Sequence, residues 1–69
     1  MPDELNQNLV GTVGLVTVSI MPPRAGEVVL AVRGGTEAYA AVSDEHIAKN
    51  ARVVVVDCLS GRTVSVTPC

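Results

Sequence analysis

The sequence has very few aromatic side chains: 69 residues include one tyrosine, Tyr39, and neither phenylalanine nor tryptophan. Proteins that hold single-stranded nucleic acid stack its bases on aromatic side chains in a positively charged groove. Five Lys and Arg residues against seven Asp and Glu residues give a net charge of −2. This charge also offers no general attraction to an anionic bilayer. We therefore expect no nucleic-acid partner, and nucleic-acid binding stays as the alternative function.

Long hydrophobic runs are absent as well. The longest purely aliphatic run is Val53–Val56, whereas a membrane-spanning helix needs about 20 apolar residues. No basic segment followed by an apolar one opens the chain, so we expect neither a membrane span nor a signal peptide in this sequence.

Residues suited to catalysis or metal binding are scarce. The two cysteines, Cys58 and Cys69, are too few for a disulfide scaffold and have no zinc-ligand spacing. The single histidine, His46, follows Asp44 and Glu45, and an enzyme or metal site built on these residues or on Cys58 is a further hypothesis. Because no nucleophile is paired with a base, we predict a solvated His46 and no catalytic, metal or cofactor site.

The composition that remains favours β-strands. Hydrophobic residues make up 48% of the chain and valine, a β-branched residue, dominates them. Turn signals separate five apolar runs of strand length, at residues 9–20, 27–33, 36–43, 51–58 and 62–67.

One Gly-Gly pair and one Ser-Gly pair predict two hairpin turns. A turn at Gly34-Gly35 would place Arg33 opposite Thr36. Counting outward, the predicted pairs are Leu30 with Tyr39, Val28 with Ala41, Val29 with Ala40 and Ala31 with Ala38. A turn at Ser60-Gly61 predicts the pairs Val55 with Val66, Asp57 with Val64, Cys58 with Thr63 and Arg52 with Cys69, which keeps the two cysteines too far apart for a disulfide.

Two segments interrupt the strands. The Pro22-Pro23 pair predicts a loop over residues 21–26, and residues 43–50 suit one helical turn that Asn50 closes in a left-handed conformation. Gly11 and Gly14 predict a bend or bulge in the long first run. A bent first strand followed by four shorter ones is typical of an OB-fold.

We therefore predict an all-β protein, a small five-stranded OB-fold-type barrel with at most one short helical turn between strands 3 and 4. Residues 1–8 are expected to be a flexible N-terminal segment and residues 9–68 the barrel domain. The predicted interior consists of Val16, Val18, Ile20, Val28, Leu30, Tyr39, Ala41, Ile47, Val53, Val55, Val64 and Val66.

The opposite face of the strands is also apolar, where a half-exposed strand normally has polar residues. Contiguous exposed apolar surface often marks a protein interface. The candidate interaction surface consists of Val29, Ala31, Ala38, Ala40, Val54 and Val56.

The order of small motifs resembles the soluble C-terminal domain of NfeD-like membrane proteins. The matching segments are Gly11-Thr-Val-Gly14, Pro23-x-x-Gly26-x-Val28, Gly35-x-x-x-Tyr39-x-Ala41-x-Ser43, Ile47-x-x-Asn50-x-x-Val53-x-Val55 and Gly61-x-x-Val64-x-Val66-x-Pro68. The resemblance departs at Asn50, where the family usually has glycine, and at Tyr39, where tryptophan is common.

The resemblance implies a five-stranded OB-type barrel without catalytic residues of its own. It also implies a parent protein anchored by transmembrane helices that this chain does not contain. We expect the domain on the cytoplasmic side of the membrane. The implied function is a non-catalytic interaction domain that takes part in membrane protease regulation. Its implied partner is a stomatin-, prohibitin- or flotillin-like membrane scaffold protein.

Overall fold

Five strands form a closed barrel in the computed structural model, which describes residues 9–32 and 34–69. The predicted N-terminal segment, residues 1–8, lies outside the described residues. Around the barrel the strand order is β1-β2-β3-β5-β4, with β3 and β5 parallel and the other pairs antiparallel. The predicted fold class is confirmed. The strands are β1 (Val13–Val18), β2 (Gly26–Val32), β3 (Gly35–Val42), β4 (Arg52–Ser60) and β5 (Thr63–Pro68).

Alternate aliphatic residues fill the inside of the barrel. Each strand places every second side chain inward, so β-branched and leucine side chains from all five strands meet there and leave water. The buried residues are Leu9, Val16, Ile20, Val28, Leu30, Ala41, Ile47, Val53, Val55, Val64 and Val66. The prediction of the interior is wrong for Val18, overstates the burial of Tyr39, which is only half-buried, and omits Leu9.

A bulge in β1 explains the error at Val18. Val16 lies opposite Val28, but Val18 lies opposite Glu27, so Thr17 is an extra residue in β1. The extra residue reverses the alternation, and Val18 becomes 53% exposed. The Thr17 hydroxyl donates a hydrogen bond to Glu27 Oε1 at 2.7 Å, which holds the bulge against β2.

Gly14 has a different role from the predicted bend. It lies opposite two fully buried residues, Leu30 of β2 and Val53 of β4, so it faces the interior. A Cβ atom at this position would lie 2.5 Å from Leu30 Cδ2 and 2.8 Å from the carbonyl oxygen of Val29. The missing side chain therefore leaves the space that Leu30 occupies, and β1 can pair closely with both neighbours.

The register of the β2–β3 hairpin differs from the prediction by two residues. Val32 pairs with Gly35, Leu30 with Glu37 and Val28 with Tyr39, so the ladder extends to Val32 and Gly35. Gly34 has a φ of 84°, the left-handed conformation that a tight loop requires. Arg33 lies outside the described residues, and its predicted partner Thr36 lies opposite Ala31. A shift of two residues leaves every side chain on its predicted face.

The β4–β5 hairpin follows the prediction in its first half. Val55 pairs with Val66, and the Cys69 amide donates to the Arg52 carbonyl oxygen at 3.2 Å. Bulges at residues 56 and 59 then shift the register, so that Cys58 lies opposite Val64 rather than Thr63. Asp57 consequently lies opposite Ser65 rather than Val64.

The segment after β1 and the segment before β4 pair with each other. Residues 19–25 contain the predicted proline loop, and its first half joins the 43–51 segment through reciprocal backbone hydrogen bonds between Ile20 and Ile47 of 2.8 and 2.9 Å. The helical turn suggested for residues 43–50 does not form; the segment is a bend followed by this bridge. Asn50 adopts the predicted left-handed conformation, with a φ of 78°.

Candidate functional site

The predicted interaction residues all lie on the outside of the barrel, on β2, β3 and β4. Val29 and Val54 are half-buried, whereas Ala31, Ala38 and Ala40 are exposed. In the β2–β3 ladder Val29 lies directly opposite Ala38. Val56, 50% exposed, occupies a bulge position of β4.

Strand β1 connects the predicted residues of β2 and β3 with those of β4. The sequence alone did not predict this connection. Leu15 lies opposite Val29 of β2, and Val13 lies opposite Val54 of β4. Because Gly14 between them faces the interior, both side chains point outward, and they are 49% (Val13) and 42% (Leu15) exposed. We call Val13, Leu15, Val29, Ala38 and Val54 the outer apolar patch.

The outer apolar patch is continuous across four neighbouring strands. Side chains directly opposite each other in a ladder have Cβ atoms about 4.5–5.5 Å apart, so Ala38, Val29 and Leu15 form one row. The second row consists of Val13 and Val54. These aliphatic side chains contain no acid, base or nucleophile, so the chemistry that they offer is burial against another apolar surface.

One row of the patch ends in a positive charge. Arg52, the first residue of β4, lies opposite Leu15, and its side chain is exposed. Arginine covers apolar neighbours with its methylene groups while its guanidinium stays in water. The patch is therefore apolar in the middle and cationic at one side.

A polar cluster lies elsewhere on the barrel, where β3 meets the β4–β5 loop. Arg62 Nη2 donates to Glu37 Oε1 at 2.7 Å and to the Ala38 carbonyl oxygen at 3.2 Å. The hydrogen bond that Arg62 donates to Glu37, and then the negative charge of Glu37, raise the pKa of Arg62. The guanidinium carbon lies 4.8 Å from the centre of the Tyr39 ring, a cation–π contact. A nucleobase would have to displace Arg62 before it could stack on the ring face that Arg62 covers.

The residues of the enzyme or metal hypothesis are not brought together. His46, Asp44 and Glu45 are exposed in the bend, where the Glu45 amide donates to the Ser43 hydroxyl at 3.3 Å. Within residues 9–32 and 34–69 there is no group of three or more His, Cys, Asp or Glu side chains placed to hold a metal ion.

Cys58 and Cys69 are both thiols. Cys58 is half-buried against the core. Partial burial, and to a smaller extent the charge of Asp57, raise the pKa of the Cys58 thiol. Since the thiolate is the reactive form, this environment makes Cys58 a poor nucleophile at neutral pH.

The part of the chain that the structure describes contains no helix with the length and apolar character needed to span a bilayer.

These features define a small, closed, five-stranded OB-type barrel with an apolar outer patch. The family model of the NfeD C-terminal domain matches residues 13–67. The chain belongs to the NfeD C-terminal domain family, as its motifs indicated. This family is an accessory domain of NfeD proteins and not a known enzyme family.

Solved structures with the same fold come from three organisms. The C-terminal domain of stomatin operon partner protein 1510-C from Pyrococcus horikoshii is 29% identical, with a TM-score of 0.73 and coverage of 91% of each chain. The soluble domain of the NfeD protein YuaF from Bacillus subtilis is 30% identical, with a TM-score of 0.72, and the match covers 97% of this chain and 89% of that one.

The third structure is the soluble domain of a membrane protein implicated in regulation of membrane protease activity from Corynebacterium glutamicum. It is 21% identical, with a TM-score of 0.67 and coverage of 91% of this chain and 95% of that one, and it supports the fold. No curated protein sequence matches the chain significantly.

Proposed function

We propose that this domain is a non-catalytic docking module of a membrane-anchored NfeD protein. It lies on the cytoplasmic side of the membrane and binds a stomatin-, prohibitin- or flotillin-like scaffold protein through the outer apolar patch. Through this contact it takes part in the regulation of membrane proteolysis.

The observation that supports docking best is the continuity of the patch. In a barrel of this size the inward side chains already supply the core, and the outward residues Val13 and Leu15 lie outside it. Aliphatic side chains that are nearly half exposed on adjacent strands lose contact with water when a partner covers them, which favours association. The previously predicted residues Ala31, Ala40 and Val56 extend this surface along their strands.

The choice of partner follows from the relatives. The Pyrococcus horikoshii structure is described as the domain of a stomatin operon partner protein, and the NfeD family resemblance implies the same class of scaffold protein. The role in membrane proteolysis is likewise an implication of the family.

A matched pair of leucine variants tests the docking surface. Leu15, 42% exposed, belongs to the patch, whereas Leu59, 51% exposed, lies near the β4–β5 loop outside it. The probe is the purified stomatin-like protein of the same organism, titrated by calorimetry. We expect Leu15→Ser to weaken binding by about tenfold, because the variant removes apolar contact at the centre of the interface. Leu59→Ser should bind like the wild-type domain.

Two results contradict the proposal in different ways. Equal affinities of the two variants would exclude the outer apolar patch as the docking surface. No binding by the wild-type domain to the stomatin-like protein would exclude the proposed partner class.

A further inference from the structure

Arg52 of β4 differs in its charge partners from Arg62 of the β4–β5 loop. Arg62 pairs with Glu37, whereas no carboxylate within residues 9–32 and 34–69 forms an ion pair with Arg52. Arg52 is nevertheless placed in register with Leu15, at the side of the outer apolar patch. An exposed cation beside an apolar surface can supply the polar rim of an interface.

The carboxylates on the strands of this chain are already engaged. Glu27 accepts a hydrogen bond from the Thr17 hydroxyl at 2.7 Å, and Glu37 accepts one from Arg62. Asp57 accepts one from the Cys58 amide at 2.9 Å. A second copy of this chain would therefore have to give up one of these contacts to offer a strand carboxylate to Arg52.

From this arrangement we infer that the partner presents an amphipathic segment to the patch. Its apolar side chains cover Leu15, Val13 and Val54, and a carboxylate of the same segment pairs with the Arg52 guanidinium. The inference rests on the proposed function and adds the chemistry of the partner. The occupant is a different protein with an acidic and apolar surface; because Asp44 and Glu45 of this chain are exposed, the test also distinguishes a second copy.

The two parts of the contact have different physical effects. Burial of the aliphatic side chains contributes most of the affinity and depends little on salt. The pair between guanidinium and carboxylate fixes the orientation of the partner segment and speeds association at low ionic strength. The change of affinity with salt concentration therefore measures the contribution of Arg52.

The test compares Arg52→Gln with Arg24→Gln, titrating the stomatin-like protein at low and high salt. Arg24 is an exposed arginine of the loop between β1 and β2, outside the patch. We expect Arg52→Gln to lower affinity by about tenfold at low salt and to flatten the salt dependence. Arg24→Gln should leave both the affinity and the salt dependence unchanged.

The outcomes separate this inference from the proposed function. If Leu15→Ser weakens binding and Arg52→Gln does not, the docking surface stands and the carboxylate contact is excluded. If Leu15→Ser has no effect, or the wild-type domain does not bind, the proposed function fails and this inference with it. Concentration-dependent dimers in sedimentation that Leu15→Ser abolishes would show a second copy on the patch and overturn the inference.

Discussion

At the scale of single residues, Gly14 separates the two surfaces of the barrel. Its position faces Leu30 and Val53 inside, while Val13 and Leu15 on either side of it face outward. The absence of one side chain thus permits both the tight core and the exposed apolar patch.

Gly14→Ala should destabilise the domain by about 1–3 kcal/mol, because the added methyl group has no space beside Leu30 Cδ2 and the Val29 carbonyl oxygen. Urea denaturation measures the change. Leu30→Val removes the atom at 2.5 Å, so the double variant should lose less stability than the sum of the two single variants. Strictly additive losses would contradict the close packing described for this position.

The two cysteines should differ in reactivity. Because burial and Asp57 raise the pKa of Cys58, its thiolate fraction at pH 8 is smaller than that of an ordinary thiol. We expect iodoacetamide to modify the exposed Cys69 first, and the rate at Cys58 to rise as the pH increases toward its raised pKa. Mass spectrometry of timed samples measures both rates, with urea-unfolded protein as the control in which the difference disappears. Faster modification of Cys58 in the folded domain would contradict its placement.

At the scale of elements, hydrophobic alternation predicts which face of a strand is buried but not every partner across the ladder. The β2–β3 hairpin shifted by two residues with all its faces unchanged, because the side-chain period is also two. The pattern of apolar residues is identical in both registers and cannot choose between them; the observed register has Gly34 in a left-handed conformation.

Bulges are a second feature of the strands that the hydrophobic pattern does not predict. One extra residue at Thr17 turned Val18 outward, although the valine pattern of β1 continues through it. The outward direction of Leu15 was available from its position next to Val16. Its place between Val29 of β2 and Arg52 of β4 was not, since that requires knowing that β1 pairs with β2 and β4.

The turn before β4 depends on the left-handed conformation of Asn50. Its amide donates to the Val16 carbonyl oxygen at 2.7 Å, which aligns the chain with β1 before β4 begins. Asn50→Ala should lower the free energy of unfolding by about 1 kcal/mol, because a Cβ-bearing residue without a local polar side chain resists this conformation. Asn50→Gly should be as stable as the wild type or more so. Equal destabilisation by both substitutions in urea would contradict this account.

At the scale of the whole molecule, an interface with a partner would cover a large share of the surface of this small domain. The accessible surface is 4411 Å², and a standard protein interface covers about 800 Å² on each partner. Such an interface would take up roughly a fifth of the domain surface, so the outer apolar patch would form its centre and exposed polar neighbours its rim. The net charge of −2 is small, so Arg52 beside the patch gives the interface a local charge that the whole molecule lacks.

The most direct measurement is amide chemical-shift mapping of the isotopically labelled domain as the purified stomatin-like protein is added. The account predicts that the largest changes cluster on the outer faces of β1, β2 and the start of β4, around Leu15, Val29 and Arg52. Changes centred instead on Tyr39 and Arg62, or on the loop of residues 19–25, would contradict docking through the outer apolar patch.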